Sequence, residues 1–285
     1  MPGFGLIGAL KRLPWKALEA LTPRRTVYPR GLTFTLQCDN WITHYRWKTY
    51  STKEPESLDW IDRSMKDGDI LFDIGANIGV YALYAALRHP RSRVITFEPE
   101  YANLHYLRDN IIANGLQNRI EVYGVALGER TGLSSLHIQD LTPGAALHTE
   151  SRESLSTTKT GKAVIYREGI YTLTLDDFCK QTGISPNCLK LDVDGTEPEV
   201  LKGALHSLAS STLYSLILEP PAPETARREC EDILRAAGFE PHMREPHRNG
   251  SNMVWGRPAL SAPAGSKSAL SASELLGRAR SGSSR

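Results

Sequence analysis

Short apolar runs alternate with helical repeats through the middle of the chain. Four of these runs are typical of strands buried on both faces of a parallel sheet: one that begins at Ile70, Arg93–Phe97, Cys188–Val193 and Ser215–Leu218. Between them, apolar residues recur at helical spacing, as at Leu104, Leu107 and Ile111. The alternation predicts an α/β fold with a doubly wound, mostly parallel, Rossmann-like sheet and helices on both faces.

The same patterns place the remaining elements. The predicted helices are Val80–Leu87, Tyr101–Asn114, one that begins at Asp176, Pro198–Leu208 and Glu224–Ala237. Further strands are predicted at Ile120–Leu127, Leu133–Ile138 and Tyr171–Leu175, with an antiparallel terminal pair of Pro241–Arg244 and Met253–Gly256. Residues 139–168 are polar and show no clear period, so we expect a long functional loop there, with a lid over the substrate as its role.

Length and composition are those of one α/β domain with appendages. The chain has 285 residues, of which 40% are hydrophobic and 23% are charged, enough for one substantial core. We predict a leader and cap segment at residues 1–49 and the main domain at 50–258. The segment 259–285 is dominated by Ser, Ala and Gly, which predicts a disordered tail.

Charge and cysteine usage narrow the expected partners and location. The net charge is only +2 and there is no basic stripe, so nucleic acid is not an expected partner. The four cysteines form no CxxC pair, which argues against zinc and disulfides and makes the reducing cytoplasm the simplest location. Residues 1–21 are weakly amphipathic; packing on the domain is the simpler interpretation, and peripheral membrane contact is the alternative. The oligomeric state stays open.

The strand that begins at Ile70 leads into a glycine turn preceded by an acid. Asp73 lies two residues before Gly75, and Asn77 stands where dinucleotide-binding turns of the form G-x-G-x-x-G carry their middle glycine. With only Gly75 and Gly79, and with a carboxylate beside the turn, the crevice favours a ligand that is positive near the turn. S-adenosylmethionine fits, because it carries an ammonium, a sulfonium and an adenosine but no phosphate.

Further acids follow the other strands of the predicted sheet. Glu98 ends the next strand, 25 residues after Asp73, in the region where βαβ nucleoside sites place the acid that accepts hydrogen bonds from ribose hydroxyls. Asp192 and Glu219 lie at the ends of two later strands. Four acids at one sheet edge repel one another unless a cation or a hydroxyl network lies between them. Their convergence predicts a catalytic site.

Five ordered motifs carry a resemblance to a known family. They are Phe72–Gly79, Phe97–Pro99, Val125–Gly128, Thr174–Asp177 and Leu189–Glu197, and the similarity continues through Glu199–Ala204. The chain resembles FkbM-type methyltransferases over about residues 50–256, with Asp194 where Glu is commoner and Thr196 where Ala is. The resemblance implies a class I fold that uses S-adenosylmethionine, usually to methylate a hydroxyl of a sugar, polyketide or related metabolite. The expected partner is a small-molecule or glycan acceptor.

The resemblance also implies roles for individual residues. The methionine end of the cofactor would be held by the turn residues Asp73, Gly75, Ala76, Asn77 and Gly79, the ribose by Glu98, and the adenine by Val125 and Ala126. Asp192 is the candidate base or orienting group, with Lys190 and Glu219 as secondary candidates. For Lys190, a lysine at the edge of the core that extends its charge toward water is the structural alternative.

Three alternatives stay open at the level of sequence. Asp192, Asp194, Glu197 and Glu219 are oxygen ligands of the kind that Mg²⁺ prefers, but they lack EF-hand spacing and equally suit a helix cap, so a metal is not favoured. A module that binds a nucleoside without catalysis would keep the same pocket. An NAD-dependent oxidoreductase is disfavoured by the missing middle glycine and by Asp73 beside the phosphate position.

Overall fold

A computed structural model describes residues 23–242 and 252–258. The predicted membrane or domain contact of residues 1–21, the predicted tail 259–285 and the far end of the predicted strand Pro241–Arg244 lie outside these residues. None of the helices in the described ranges combines the length and the apolar character that crossing a bilayer requires. All four cysteines are free thiols.

The described chain forms thirteen strands and eight helices. The strands are β1 (Arg24–Val27), β2 (Phe34–Gln37), β3 (Ile70–Ile74), β4 (Arg93–Phe97), β5 (Ile120–Tyr123), β6 (Ala126–Leu127), β7 (Gly132–Ile138), β8 (Thr149–Ser151), β9 (Tyr166–Leu173), β10 (Cys188–Leu191), β11 (Ser215–Leu218), β12 (Glu240–Pro241) and β13 (Met253–Gly256). The helices are α1 (Trp41–Thr49), α2 (Pro55–Ser64), α3 (Val80–Arg88), α4 (Tyr101–Ala113), α5 (Leu175–Thr182), α6 (Glu197–Lys202), α7 (Leu205–Ala209) and α8 (Glu224–Ala236).

A seven-stranded sheet forms the centre of the fold, in the order β12-β13-β11-β10-β3-β4-β5. β3, β4, β5, β10 and β11 are parallel, whereas β13 runs antiparallel to both β11 and β12. Helices α2, α3 and α4 pack on one face, and α5 to α8 pack on the other. The predicted doubly wound, mostly parallel sheet with an antiparallel edge is therefore confirmed. Its strand order reverses between β3 and β10, where ligands of open α/β sheets bind.

A second sheet of four strands, in the order β6-β9-β7-β8, covers the carboxyl edge of the first. Two predictions are wrong in this region. The single strand Ile120–Leu127 is interrupted at Gly124, so β5 belongs to the central sheet and β6 to the second one. The long loop 139–168 contains β8 and the start of β9, because long-range antiparallel pairing with β7 gives these polar residues a strand conformation.

The predicted helix Pro198–Leu208 is two helices, α6 and α7, separated at Gly203. A Cβ built at Gly203 would overlap the carbonyl oxygen of Gly128, so backbone approaches backbone at this point. That approach joins the second sheet to the helical layer. It is a tertiary contact, and the local helical periodicity of the sequence contains no sign of it.

The segment before residue 50 packs into the main core. Phe34 and Leu36 of β2 are buried in the same cluster as Leu71 of β3. The side-chain oxygens of Asn110 and Asn114 accept hydrogen bonds from backbone N–H groups of β2, each at 2.8 Å. The β1-β2 hairpin and α1 are thereby fixed against α4, whereas the predicted domain boundary at residue 50 stays a prediction.

Candidate active site

In the turn between β3 and α3, the backbone N–H groups already donate hydrogen bonds within the protein. The N–H groups of residues 75–79 all donate to neighbouring acceptors at 2.8–3.1 Å: Gly75 and Ala76 to Phe97 O, Asn77 to Glu98 Oε2, Ile78 to Asn77 Oδ1, and Gly79 to Ala76 O. In a phosphate-binding turn such N–H groups point at the ligand. This turn therefore has the position of a nucleotide-binding turn without the free donors that a pyrophosphate requires.

Gly75 allows the turn to lie directly against the next strand of the sheet. Its φ is 79°, in the left-handed region, and a Cβ there would overlap the carbonyl oxygen of Asp192 far inside 3.0 Å. Asn77 is also left-handed, with φ 51°. Its side-chain Nδ2 donates to Ala145 O at 2.7 Å, which fixes the segment around residue 145 above the turn.

Glu98 lies at the end of β4, where the sequence predicts the ribose acid. Its side chain is 5% exposed, and its two carboxylate oxygens accept the N–H groups of Asn77 at 2.8 Å and Glu100 at 3.0 Å. Burial raises the pKa of Glu98 to about 7 despite these two hydrogen bonds. The carboxyl is thus held rigidly, and its charge depends on pH near neutrality.

A cavity of about 200 Å³ opens between the strand ends and the second sheet. One wall is apolar and consists of Val125, Ala126, Leu127 and Leu136. The other walls carry polar and charged side chains from the central sheet, the segment around residue 145 and the region before residue 54: Arg46, Lys53, Asn77, Glu98, Asn103, His148, Glu150, Asp192, Asp194, Thr196 and Glu219. An adenosine with a charged amino-acid tail requires such a pairing of one apolar and one charged end.

Three acids form a cluster at the charged end of the cavity. Each of Asp192, Asp194 and Glu219 offers a carboxylate oxygen within 4.8 Å of the others. Although burial disfavours its charge, the pKa of Asp192 lies well below its usual range, because Lys190 and a hydrogen bond from Glu219 favour the ionised form. The Asp192 charge, that hydrogen bond and burial raise the pKa of Glu219 to about 10. The raised pKa favours the protonated form of Glu219, whose O–H can donate a hydrogen bond to the Asp192 carboxylate.

Lys190 is the buried cation that organises these acids. It is 3% exposed, and its Nζ donates to Asp192 Oδ2 at 2.8 Å and lies 3.9 Å from Asp73 Oδ1. The Lys190 ammonium also lies over the Tyr81 ring, 5.1 Å from its centroid. Burial alone would lower the pKa of Lys190, but Asp192 and Asp73 raise it above its usual range. Lys190 thus holds the Asp192 carboxylate through a buried ion pair.

Asp73 lies beneath the sheet edge. Its register partner on β10 is Lys190, and both side chains point to the face covered by α3, while the neighbours Phe72 and Ile74 point to the opposite face. The Asp73 side chain is 1% exposed, and neither of its carboxylate oxygens has a hydrogen-bond partner in the described part of the chain. Burial raises the pKa of Asp73 to about 6, with Lys190 opposing the shift.

The structure thus divides the predicted site residues into two groups. Seven line the cavity: Gly75, Asn77, Glu98, Val125, Ala126, Asp192 and Glu219. The other four do not line it: Asp73, Ala76, Gly79 and Lys190. Gly79 is the N-cap of α3, with φ 87°, and a Cβ there would lie 2.5 Å from Leu107 Cδ1. These four shape the turn or hold Asp192 from behind.

Several cavity residues escaped the sequence reasoning. Arg46 comes from the predicted cap segment 1–49, Lys53 from the start of the predicted main domain, and His148 from the segment predicted as a loop. His148 is 8% exposed, its Nε2 has no partner among the described residues, and burial lowers its pKa to about 4. No motif marks these residues, because their own strands and helices reach the cavity only through tertiary packing.

Glu197, a member of the predicted magnesium set, has a separate role. Its Oε1 accepts the N–H groups of Val193 and Gly195, each at 3.1 Å, so it closes the loop that carries Asp194. Burial raises the pKa of Glu197 to about 7. The cluster that could share a cation consists of Asp192, Asp194 and Glu219.

Comparison of the sequence with protein-family profiles identifies the family of this chain. A profile described as "Methyltransferase FkbM domain" matches residues 73–241, which is more than half of the chain. The chain belongs to the FkbM methyltransferase family. The turn, the acid cluster and all other residues that line the cavity lie within the matched residues, whereas Arg46 and Lys53 precede them.

The individual proteins that resemble the chain are distant from it in sequence. The 31-O-demethyl-FK506 methyltransferase FkbM of Streptomyces tacrolimicus is 25% identical over 198 residues, covering 61% of this chain and 74% of that protein. The methyltransferase sdnD of Sordaria araneosa is 23% identical over 197 residues, covering 62% and 76%. Among solved structures, Aeropyrum pernix fibrillarin in complex with S-adenosyl-L-methionine aligns with a TM-score of 0.40 and 14% identity, covering 67% of each chain.

Proposed function

We propose that this FkbM-family methyltransferase uses S-adenosylmethionine to methylate a hydroxyl of a sugar, polyketide or related small metabolite. The observation that supports this donor most directly is the glycine turn, whose five N–H groups are already satisfied within the protein. A pyrophosphate would find no donors there, which disfavours NAD. A nucleoside without phosphate needs none.

The cavity residues suit the parts of such a donor. Glu98 would accept hydrogen bonds from ribose hydroxyls, Val125 and Ala126 would cover the adenine, and the Cβ-free Gly75 gives room beside the Asp192 backbone. When bound, S-adenosylmethionine supplies a methyl group on a sulfonium, whose positive charge disappears during transfer. The acids at this end of the cavity favour that charge.

A second cavity suits the acceptor. Its volume is about 590 Å³, and it meets the first cavity at Leu147, Asp194 and Glu219. Its walls combine carboxylates, among them Glu199 and Glu229, with the prolines 220, 221 and 223. Carboxylates accept hydrogen bonds from hydroxyls, and proline rings pack against apolar ring faces. Such a surface supports a hydroxyl-bearing acceptor, consistent with the oxygen named as the target in the 31-O-demethyl-FK506 methyltransferase.

Asp192 is the group that receives the acceptor proton in this proposal. Lys190 holds one of its oxygens at 2.8 Å, and protonated Glu219 donates to the same carboxylate. An acceptor hydroxyl would donate to a remaining lone pair of Asp192 and so direct its oxygen toward the methyl group. As the oxygen gains the methyl group its O–H becomes strongly acidic. A carboxylate whose pKa is low can therefore take that proton.

Calorimetry and a labelling assay test the proposal. The purified protein is titrated with S-adenosylmethionine, S-adenosylhomocysteine and NAD, and methyl transfer from labelled donor is followed over fractionated cell extract by mass spectrometry. We expect the first two ligands to bind, NAD not to bind, and the label to appear on a hydroxyl. Binding of NAD alone would contradict the proposal. Binding without turnover of any fraction would favour a module that retains the nucleoside pocket without catalysis.

A further inference from the structure

Two cations from outside the family match line the charged end of the cavity. Arg46 belongs to α1, and Lys53 lies in the connection between α1 and α2. They lie close enough to the acid cluster that both favour the charged form of Asp194 and offset part of the burial that raises its pKa to about 6. Opposite charges therefore meet at one end of a single cavity.

Arg46 is held there by a defined set of contacts. Asn40 caps α1 in a reciprocal arrangement with Thr43, and its Nδ2 donates to Pro143 O at 3.2 Å. The Nε of Arg46 donates to Gly144 O at 2.7 Å. Gly144 has φ 89°, and a Cβ there would lie 3.2 Å from Thr43 Cγ2, so a side chain at this position would be both strained and crowded. The anchoring hydrogen bond uses Nε, and neither terminal nitrogen of the guanidinium donates to another residue in the described part of the chain, so both can bind a further partner.

The same anchor ties Arg46 to the donor side of the site. Ala145, which follows Gly144, accepts a hydrogen bond from Asn77 of the glycine turn at 2.7 Å. Of the described residues, those that line the second cavity do not include Arg46 or Lys53. The two cations therefore face the position proposed for the donor. An anionic group on the acceptor would have to cross the first cavity to reach them.

We propose that Arg46 and Lys53 bind the carboxylate of the donor's amino-acid end, while Asp192 and Asp194 face its ammonium and sulfonium. The proposal rests on the proposed use of S-adenosylmethionine. An α-amino acid end is a zwitterion, and a cavity end with cations on one side and carboxylates on the other matches both charges. Arg46 can bind a carboxylate through its terminal nitrogens, while Lys53, already 2.5 Å from Glu54 Oε1, adds a second positive charge. Arg46 of the cap segment and Lys53, which follows it, thus complete the donor site.

Calorimetry with two ligands isolates the carboxylate. S-adenosylmethionine and decarboxylated S-adenosylmethionine share the adenosine, the sulfonium and the amine, and differ only in this group. The ligands are titrated into the wild-type chain, Arg46→Gln, Lys53→Gln and the double variant, with Lys48→Gln as the matched control, because Lys48 is an exposed cation of the same helix. Arg46→Lys keeps the charge if Arg46→Gln does not fold.

We expect the affinity of the double variant for S-adenosylmethionine to fall by about 10- to 100-fold, which is the effect of losing hydrogen bonds between charged groups. Its affinity for the decarboxylated ligand should fall by less than about threefold, because that ligand lacks the carboxylate. Lys48→Gln should leave both affinities unchanged. Equal losses for the two ligands, or no loss for S-adenosylmethionine, would overturn this proposal and leave the proposed function standing. If the wild-type chain binds neither ligand, the proposed function itself is wrong, and the carboxylate site falls with it.

Discussion

Substitution of Gly75 by alanine tests the geometry on which the site depends. Gly75 has φ 79°, and a Cβ at this position would overlap the Asp192 carbonyl oxygen far inside the 3.0 Å that Cβ atoms keep from other atoms. The obstacle is backbone at the end of a central strand and cannot rotate away. Relief therefore requires the glycine turn and the tip of β10 to move apart.

Two contributions set the expected cost. An alanine in the left-handed region costs about 1–2 kcal/mol. Overpacking of a close contact adds about 1–3 kcal/mol. We therefore expect Gly75→Ala to lower the free energy of unfolding by about 2–5 kcal/mol, measured by urea denaturation. Because the displaced turn carries Asn77, the affinity for S-adenosylhomocysteine should also fall by more than tenfold.

Gly183 provides the matched control. It ends α5 with φ 71°, and a Cβ there would meet no heavy atom within 4 Å. Gly183→Ala should therefore cost only the conformational part, about 1–2 kcal/mol, and leave ligand affinity unchanged. If Gly75→Ala costs no more than Gly183→Ala and binds S-adenosylhomocysteine normally, then the turn does not pack against Asp192 as described.

Four further predictions concern the buried acids. Because the pKa of Asp73 is about 6 in the folded chain and 3.8 ordinarily, folding should weaken by roughly 3 kcal/mol in all as pH rises from about 3 to about 7, and Asp73→Asn should remove that loss in denaturation curves. The pKa of Glu98 is about 7, and its ionised form is the better acceptor for ribose hydroxyls, so the affinity for S-adenosylhomocysteine should rise as pH increases through 7. A wild-type affinity that does not change with pH would contradict the ribose role. So would a pH dependence that persists in Glu98→Gln. Asp192→Asn should lower kcat by about 10²- to 10⁴-fold. Glu219→Gln should lower kcat much less, because the amide can still donate a hydrogen bond to Asp192. Equal losses of kcat would mean that Glu219 acts as a carboxylate. Treatment with EDTA should leave methyl transfer unchanged, and a loss restored by Mg²⁺ would assign Asp192, Asp194 and Glu219 to a metal.

Local patterns in the sequence were sufficient to predict the central strands and the glycine turn that position the site. The strand at Arg93–Phe97 and that at Ser215–Leu218 have the predicted bounds, because each is a short apolar run that a proline closely follows. The glycine turn and Glu98 likewise follow from spacing alone. Each of these features depends on residues close together in the chain, where propensity and packing agree.

The second sheet and the cations of the site depend on distant residues. β9 starts within a polar stretch, and its pairing with β7 spans the predicted loop. Arg46 reaches the cavity because Asn40 and Gly144, about a hundred residues apart, bring two segments together. Long-range contacts of this kind leave no local period. The pattern of the chain therefore predicts strands at Leu133–Ile138 and Tyr171–Leu175, but neither their pairing in a second sheet nor the cationic side of the cavity.

The position of Asp73 in the structure differs from the position that the sequence predicts for it. The sequence places this carboxylate beside the ligand, but alternation along β3 sends it to the sheet face under α3, where it faces Lys190 at 3.9 Å. Lys190 in turn holds Asp192, which does line the cavity. Asp73 can therefore act on the chemistry only through Lys190, by stabilising the ammonium that orients Asp192. Loss of Asp73 should consequently alter kcat more than donor affinity, whereas a direct donor contact would have the opposite effect.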